Sequence, residues 1–184
     1  PLDINGNGRL DFITGGWWGG VLRWRENPGN DGEWPEHEIA DVGPIETTRA
    51  WDIDGDGILE IIPNCPQGPV RVFKLVTDAA GRGAGAFESY SLFEGPQGHG
   101  LGVGDIAGNG RKDIVLNHGW LEAPASPWCE PWRYHPEFKL PESASVPILV
   151  VDVNGDVRSD LIDGAGHDYG LYWLEQVRGD SGER

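Results

Sequence analysis

Four nine-residue segments place acidic or amide side chains at alternating positions around glycines: Asp3-Ile-Asn-Gly-Asn-Gly-Arg-Leu-Asp11, Asp52-Ile-Asp-Gly-Asp-Gly-Ile-Leu-Glu60, Asp105-Ile-Ala-Gly-Asn-Gly-Arg-Lys-Asp113 and Asp152-Val-Asn-Gly-Asp-Val-Arg-Ser-Asp160. Side-chain oxygens at loop positions 1, 3, 5 and 9, with a backbone carbonyl at position 7, are the hard-oxygen donors that calcium takes. Glycine at positions 4 and 6 permits the positive φ angles of a tight turn. The second copy fills every position, with Asp52, Asp54, Asp56, the Ile58 carbonyl and Glu60. The first offers Asp3, Asn5, Asn7, the Arg9 carbonyl and Asp11, with less charge. The third has Asp105, Asn109, the Arg111 carbonyl and Asp113 but Ala107 at position 3. The fourth has Asp152, Asn154, Asp156, the Arg158 carbonyl and Asp160 but Val157 where glycine is expected. For these last two a metal-free turn held by Asx hydrogen bonds is an equal reading.

An EF-hand requires a bidentate Glu at position 12, and the residues found there are Thr14, Pro63, Leu116 and Asp163. The flanks also argue against it, because each loop runs into a short β-like segment (12–14, 61–62, 114–116 and 161–162) with no helical period.

The histidines form a second candidate set. His99 lies six residues before Asp105 and Glu46 six before Asp52, while His118 lies five after Asp113 and His167 seven after Asp160. If equivalent strand ends converge on a common axis, Glu46, His99, His118 and His167 face one funnel. Three imidazoles and a carboxylate suit Zn2+ or another divalent metal, or the acid–base chemistry of a sugar elimination. The neighbouring Gly98, Gly100, Gly119 and Gly166 fit equally with each His simply capping a turn. His37 and His135 read as ordinary strand or surface residues.

Nine tryptophans are many for this length. Trp17 and Trp18, set between glycine pairs, are the best candidates for a platform under a sugar ring, with Trp120 and Tyr169 as further candidates. Trp24, Trp51 and Trp173 read as core. Arg49, beside Glu46, suits an anionic or hydroxyl-rich ligand or an ion pair with Glu46.

The first loop residues are 49, 53 and 47 positions apart, and short strands fill the intervals. A second strand follows each loop: 21–25, 70–75, 171–174 and, less regularly, 132–134. Further strands are expected near 37–39 and 89–93, and inner strands at 48–51, 101–103 and 148–151. Four strands per period is the blade count of a β-propeller. The expected fold is therefore all-β, about three and a half to four four-stranded blades, in repeats of roughly 1–44, 45–95, 96–142 and 143–184. Closure calls for remaining blades of the same chain or for other copies, about seven blades in all.

Composition fits this reading. The 184 residues include 29 Gly and 14 Pro, as many short turns require, and a net charge of −16 disfavours nucleic acid and anionic membrane partners. No apolar run is long enough to span a bilayer, so membrane insertion is not expected. With no Met, and with Pro1 opening inside a repeat, the natural start is expected upstream. Cys65 and Cys129 allow one disulfide at most. No nucleophile elbow or P-loop is present.

The Asp-x-[Asp/Asn]-Gly-[Asp/Asn]-Gly-x-x-[Asp/Glu] loops between strands resemble FG-GAP/VCBS repeats, the calcium-loop propeller blades also seen in integrin α-subunit heads. Segments 98–105, 117–124 and 166–173 are similar to the propeller domain of aldos-2-ulose dehydratase and related secreted VCBS proteins. No full catalytic set matches, and the cupin domains that accompany that propeller are absent from the sequence. The resemblance implies a secreted, extracellular or periplasmic calcium-binding module for carbohydrate or extracellular protein. Its alternative is a carbon–oxygen lyase acting on a sugar through the His/Glu funnel.

Overall fold

The computed structural model describes residues 2–142 and 146–177, and among these every regular element is a β-strand. Two compact units, Pro1–Pro96 and Gln97–Arg184, hold two antiparallel sheets each.

In the first unit β1 (Phe12–Thr14), β2 (Val21–Arg25) and β3 (Glu36–Asp41) form one sheet, and β4 (Thr47–Trp51), β5 (Glu60–Asn64), β6 (Val70–Thr77) and β7 (Gly83–Phe93) the other. In the second unit β8 (Leu101–Gly104), β9 (Asp113–Leu116), β10 (Gly119–Glu122) and β11 (Arg133–His135) form a four-stranded sheet. There β12 (Leu149–Val151), β13 (Asp160–Gly164) and β14 (Leu171–Leu174) make a three-stranded one. Strand order follows chain order in all four sheets, the meander of a propeller blade. Each Asp-rich loop leads into a strand of its own sheet, and in the last three it joins the first strand to the second.

Burial follows position in the sheet. The second strands β5 and β9 are buried at every residue, including the loop-closing acids Glu60 and Asp113 that begin them, whereas the outer β7 alternates. In the first unit Leu22, Ile45, Ile61, Cys65 and Phe73 pack together between the sheets. In the second, Val115, Trp120, Leu140, Ile148 and Leu161 do the same. The inner strands β8 and β12 lie close there: Ile148 N donates to Leu101 O at 2.9 Å, and a Cβ on Gly102 would collide with the Ile148 carbonyl.

One strand differs from the sequence reading. The strand that follows β9 in the third sheet is Gly119–Glu122, and the segment near 132–134 is the outer strand. The turn that sets this register holds only Asn117 and His118, with Gly119 at φ 139° pairing back to Leu116. Trp120 therefore lies in a central strand and not in a turn.

Candidate functional site

The four loops share one hydrogen-bond frame. Carboxylate oxygens of the first Asp accept backbone N–H groups from across the turn. Asp3 accepts from Asn7 at 3.0 Å and Gly8 at 2.9 Å, Asp52 from Gly55 at 2.8 Å and Gly57 at 3.1 Å, and Asp105 from Asn109 at 3.0 Å and Gly110 at 2.7 Å. Asp152 accepts from Gly155 at 2.7 Å and Val157 at 2.9 Å. The ninth-position acids Asp11, Glu60, Asp113 and Asp160 are all buried. Each takes a backbone N–H from loop position 2: Ile4, Ile53 and Ile106 at 2.9 Å each, and Val153 at 3.2 Å. Burial and backbone donors thus lock the acid that closes each loop.

That frame also ties each loop to the next strand. The other oxygens of Asp11, Asp113 and Asp160 accept the amides of Asn27, Ala123 and Gln176 at 2.8, 2.9 and 2.8 Å. In the same three loops the position-7 arginine sends its Nε to the carbonyl of that very residue: Arg9 to Asn27 at 2.8 Å, Arg111 to Ala123 at 2.7 Å, and Arg158 to Gln176 at 2.8 Å. These arginines were singled out for their carbonyls; their guanidinium groups turn out to be structural ties.

Residues 3–62 match the FG-GAP-like repeat family. This stretch is an FG-GAP-like repeat. It runs from the first loop through the second loop into β5, and the loops at 105–113 and 152–160 repeat its hydrogen-bond frame. No curated protein matches the chain.

Within the FG-GAP-like repeat the second loop, which the sequence ranks first for calcium, has a cation already among its acids. Lys74 Nζ on β6 lies 2.6 Å from Asp54 Oδ2, 2.6 Å from Asp56 Oδ2 and 3.1 Å from Glu60 Oε1. Asp52, Asp54 and Glu60 bring one carboxylate oxygen each within 4.8 Å of one another. Burial raises the Glu60 carboxyl above its ordinary range, only partly offset by the Ile53 amide and Lys74. For Lys74 burial works against the charge, but hydrogen bonds to Asp54, Asp56 and Glu60 outweigh it and hold the ammonium protonated well above the usual lysine range. Burial likewise raises Asp113.

The histidines divide. His99, just before β8, and His167, between β13 and β14, meet edge to face with ring centroids 5.8 Å apart and ring nitrogens within 4.8 Å. His118 is engaged elsewhere. Tyr134 Oη donates to the His118 carbonyl at 2.7 Å, so the contact of His118 Nδ1 with the same oxygen, also 2.7 Å, has the imidazole as donor. Glu46 belongs to the first unit, exposed, with its amide on the Asn64 carbonyl at 2.8 Å. Both cysteines are free thiols, Cys65 buried and Cys129 exposed.

Of the aromatic candidates, Trp18 is 95% exposed and Trp17 39%, and Trp17 lines a cavity of about 230 Å3 with Pro44, Cys65 and Gly68. Tyr169 is exposed. Arg49 lines a smaller cavity of about 140 Å3 with Phe12 and Ile13. Trp120 presents no ring to a ligand: it is fully buried, stacks on His135 with centroids 4.2 Å apart, and donates Nε1 to Glu137 at 2.9 Å.

A second repeated motif escaped the sequence reading. Trp24-Arg25-Glu26, Trp120-Leu121-Glu122 and Trp173-Leu174-Glu175 hold the same cross-strand positions, their tryptophans opposite Ile13, Val115 and Ile162. In the first and third sheets the outer strand adds a His stacked on the Trp and bonded to the Glu. His37 lies 4.2 Å from Trp24 and 3.1 Å from Glu26, and His135 lies 2.9 Å from Glu122. The visible signal was the repeated Trp-x-Glu itself.

Proposed function

We propose that this chain is a calcium-binding FG-GAP-type repeat module of a secreted protein, extracellular or periplasmic, that serves carbohydrate or protein binding. The observation that carries the reading is the focus of the loop frame. In the second copy three carboxylate oxygens converge on a single cationic atom, Lys74 Nζ, and the other three copies share the backbone frame that creates this focus.

The donor sets fit calcium, being oxygen only and mixed carboxylate and amide. Asp3, Asn5, Asn7 and Asp11 would hold the ion in the first loop, Asp105, Asn109 and Asp113 in the third, and Asp152, Asn154, Asp156 and Asp160 in the fourth. A bound ion would neutralise part of the −16 net charge and brace each loop against its neighbouring strand. FG-GAP repeats are typical of extracellular proteins, where calcium is abundant enough for sites of modest affinity. Calcium titration followed by calorimetry tests this, and the absence of any bound ion at millimolar calcium would refute it.

The binding role rests on Trp17 and Trp18, an exposed aromatic pair beside a cavity. Assembly with further blades is supported by the last sheet. Trp173, equivalent to the buried Trp24 and Trp120, is half exposed there, and Leu171 and Leu149 are exposed with it. An apolar sheet face of this kind is suited to another blade. Glycan-array binding that survives Trp17→Ala and Trp18→Ala together would remove the carbohydrate reading.

The alternative, a carbon–oxygen lyase with a metal at the histidines, keeps the His99–His167 pair as its support. Zinc detected in the protein and lost on His99→Ala would favour it.

A further inference from the structure

Continuing the strand registers Phe12↔Arg25, Ile61↔Phe73, Ile114↔Leu121 and Leu161↔Leu174 by one residue sets the ninth loop acids opposite Glu26, Lys74, Glu122 and Glu175. Three repeats have a glutamate there, and each of those carries an arginine at loop position 7. The second repeat reverses both choices, with Lys74 in the strand and Ile58 in the loop. The tie between loop and strand is therefore kept with its direction exchanged. In three repeats the loop sends a cation out to a carbonyl just past the end of that strand. In the second the strand sends a cation into the loop.

Ile58, released from that duty, packs against the cluster of Ile4, Trp24 and Leu75. The second loop also has the most acids of the four, Asp52, Asp54, Asp56 and Glu60, and so has the greatest need of a positive charge at its centre. Lys74 is mostly shielded, its side chain 19% exposed, so its contacts with the carboxylates are less screened than those of a surface pair.

We propose that Lys74 is the resident cation of the second loop, filling the place a calcium ion takes in the other repeats, so that residues 52–60 fold without metal. The contrast with the other repeats rests on the calcium reading above; the role of Lys74 does not. An ammonium on a strand side chain cannot dissociate, so this repeat keeps its loop formed when calcium is withdrawn, and Lys74 makes the second loop indifferent to the ion.

The test counts calcium ions by native mass spectrometry in the wild-type chain, in Lys74→Met, and in the double variant Asp54→Asn with Asp56→Asn. Hydrogen exchange of segment 52–60 is followed in chelator and in calcium. The double variant is expected to bind as many ions as the wild type, and Lys74→Met one more. In chelator the Lys74→Met loop should exchange at least tenfold faster than wild type, with calcium restoring protection. An ion lost from the double variant, or none gained by Lys74→Met, overturns the proposal. A wild type that binds no calcium while Lys74→Met binds one ion would sustain the role of Lys74 and refute the calcium reading of the other loops. Equal numbers above zero in the wild type and Lys74→Met would do the reverse, and calcium binding by neither would refute both.

Discussion

Trp120 and His135 stack face to face across β10 and β11, with centroids 4.2 Å apart and an interplanar angle of 8°. The contact fixes the indole in the core beneath the second unit's sheets, where its Nε1 also reaches Glu137. Trp120→Ala should therefore cost about 3–5 kcal/mol of stability, the usual range for a buried aromatic truncation. Trp18→Ala, at a site 95% exposed, should stay within about 0.5 kcal/mol. Denaturant unfolding of the two variants decides whether burial separates them; comparable losses would contradict the placement of Trp120.

Val157 has φ 66° at a loop position where the three other copies have glycine at φ 80°, 86° and 83°. It is also exposed, so its side chain offers little packing to offset a left-handed backbone. Val157→Gly should stabilise the chain by about 1 kcal/mol, because a β-branched L residue in this region is strained by roughly that amount. Thermal denaturation measures it, and a lowered midpoint would count against the strain.

Gly102 and Ile148 test the packing of the inner strands. The obstacle a Cβ would meet at residue 102 is the Ile148 carbonyl, which cannot rotate away as a side chain would. Gly102→Ala should destabilise by about 1–3 kcal/mol, as overpacking does. Gly108→Ala meets no neighbour but keeps a strained φ of 69°, so its loss should come from backbone conformation alone; denaturant unfolding of the two variants compares the steric cost with the conformational one.

The two thiols differ in environment. Burial pushes the Cys65 thiol up to about 11, whereas Cys129 is exposed. In native protein at pH 8 one thiol should react promptly with an aromatic disulfide reagent and the second only on unfolding. Because the folded value lies above the ordinary value of about 8.5, the contribution of the neutral thiol is complete below that pH and is lost as pH rises toward about 11. Cys65→Ala should flatten that part of the alkaline stability curve; an unchanged slope would place the effect elsewhere.

The loops and most strands were legible because their information is local. Asp at position 1, glycine at 4 and 6 and an acid at 9 encode a turn whose hydrogen bonds close within nine residues, and 70–75 or 171–174 announce themselves as apolar β segments. Trp120 was misread because a turn of only Asn117 and His118 leaves no spacing signal, and a tryptophan beside glycine looks like a loop residue. Lys74 was missed for a different reason. It lies 14 residues after its ninth loop acid, while Glu26, Glu122 and Glu175 lie 15, 9 and 15 after theirs, so only the strand register reveals that the four positions are equivalent. The arginines at position 7 were named for their carbonyls, and the ties their guanidinium groups make could not be read, since where a guanidinium points depends on a segment folded back over the loop. Of the histidines, His99 and His167 do meet, but nothing in the spacing foretold that Tyr134 engages His118.

The central claim is that the first, third and fourth loops hold calcium, and differential scanning calorimetry of the chain in calcium and in excess chelator tests it most directly. At a calcium concentration about 100-fold above the dissociation constant each occupied loop should add about 2.7 kcal/mol. The account predicts a midpoint that climbs with calcium concentration and falls back in chelator. Identical transitions in the two buffers, with no calcium retained by the protein, would contradict it.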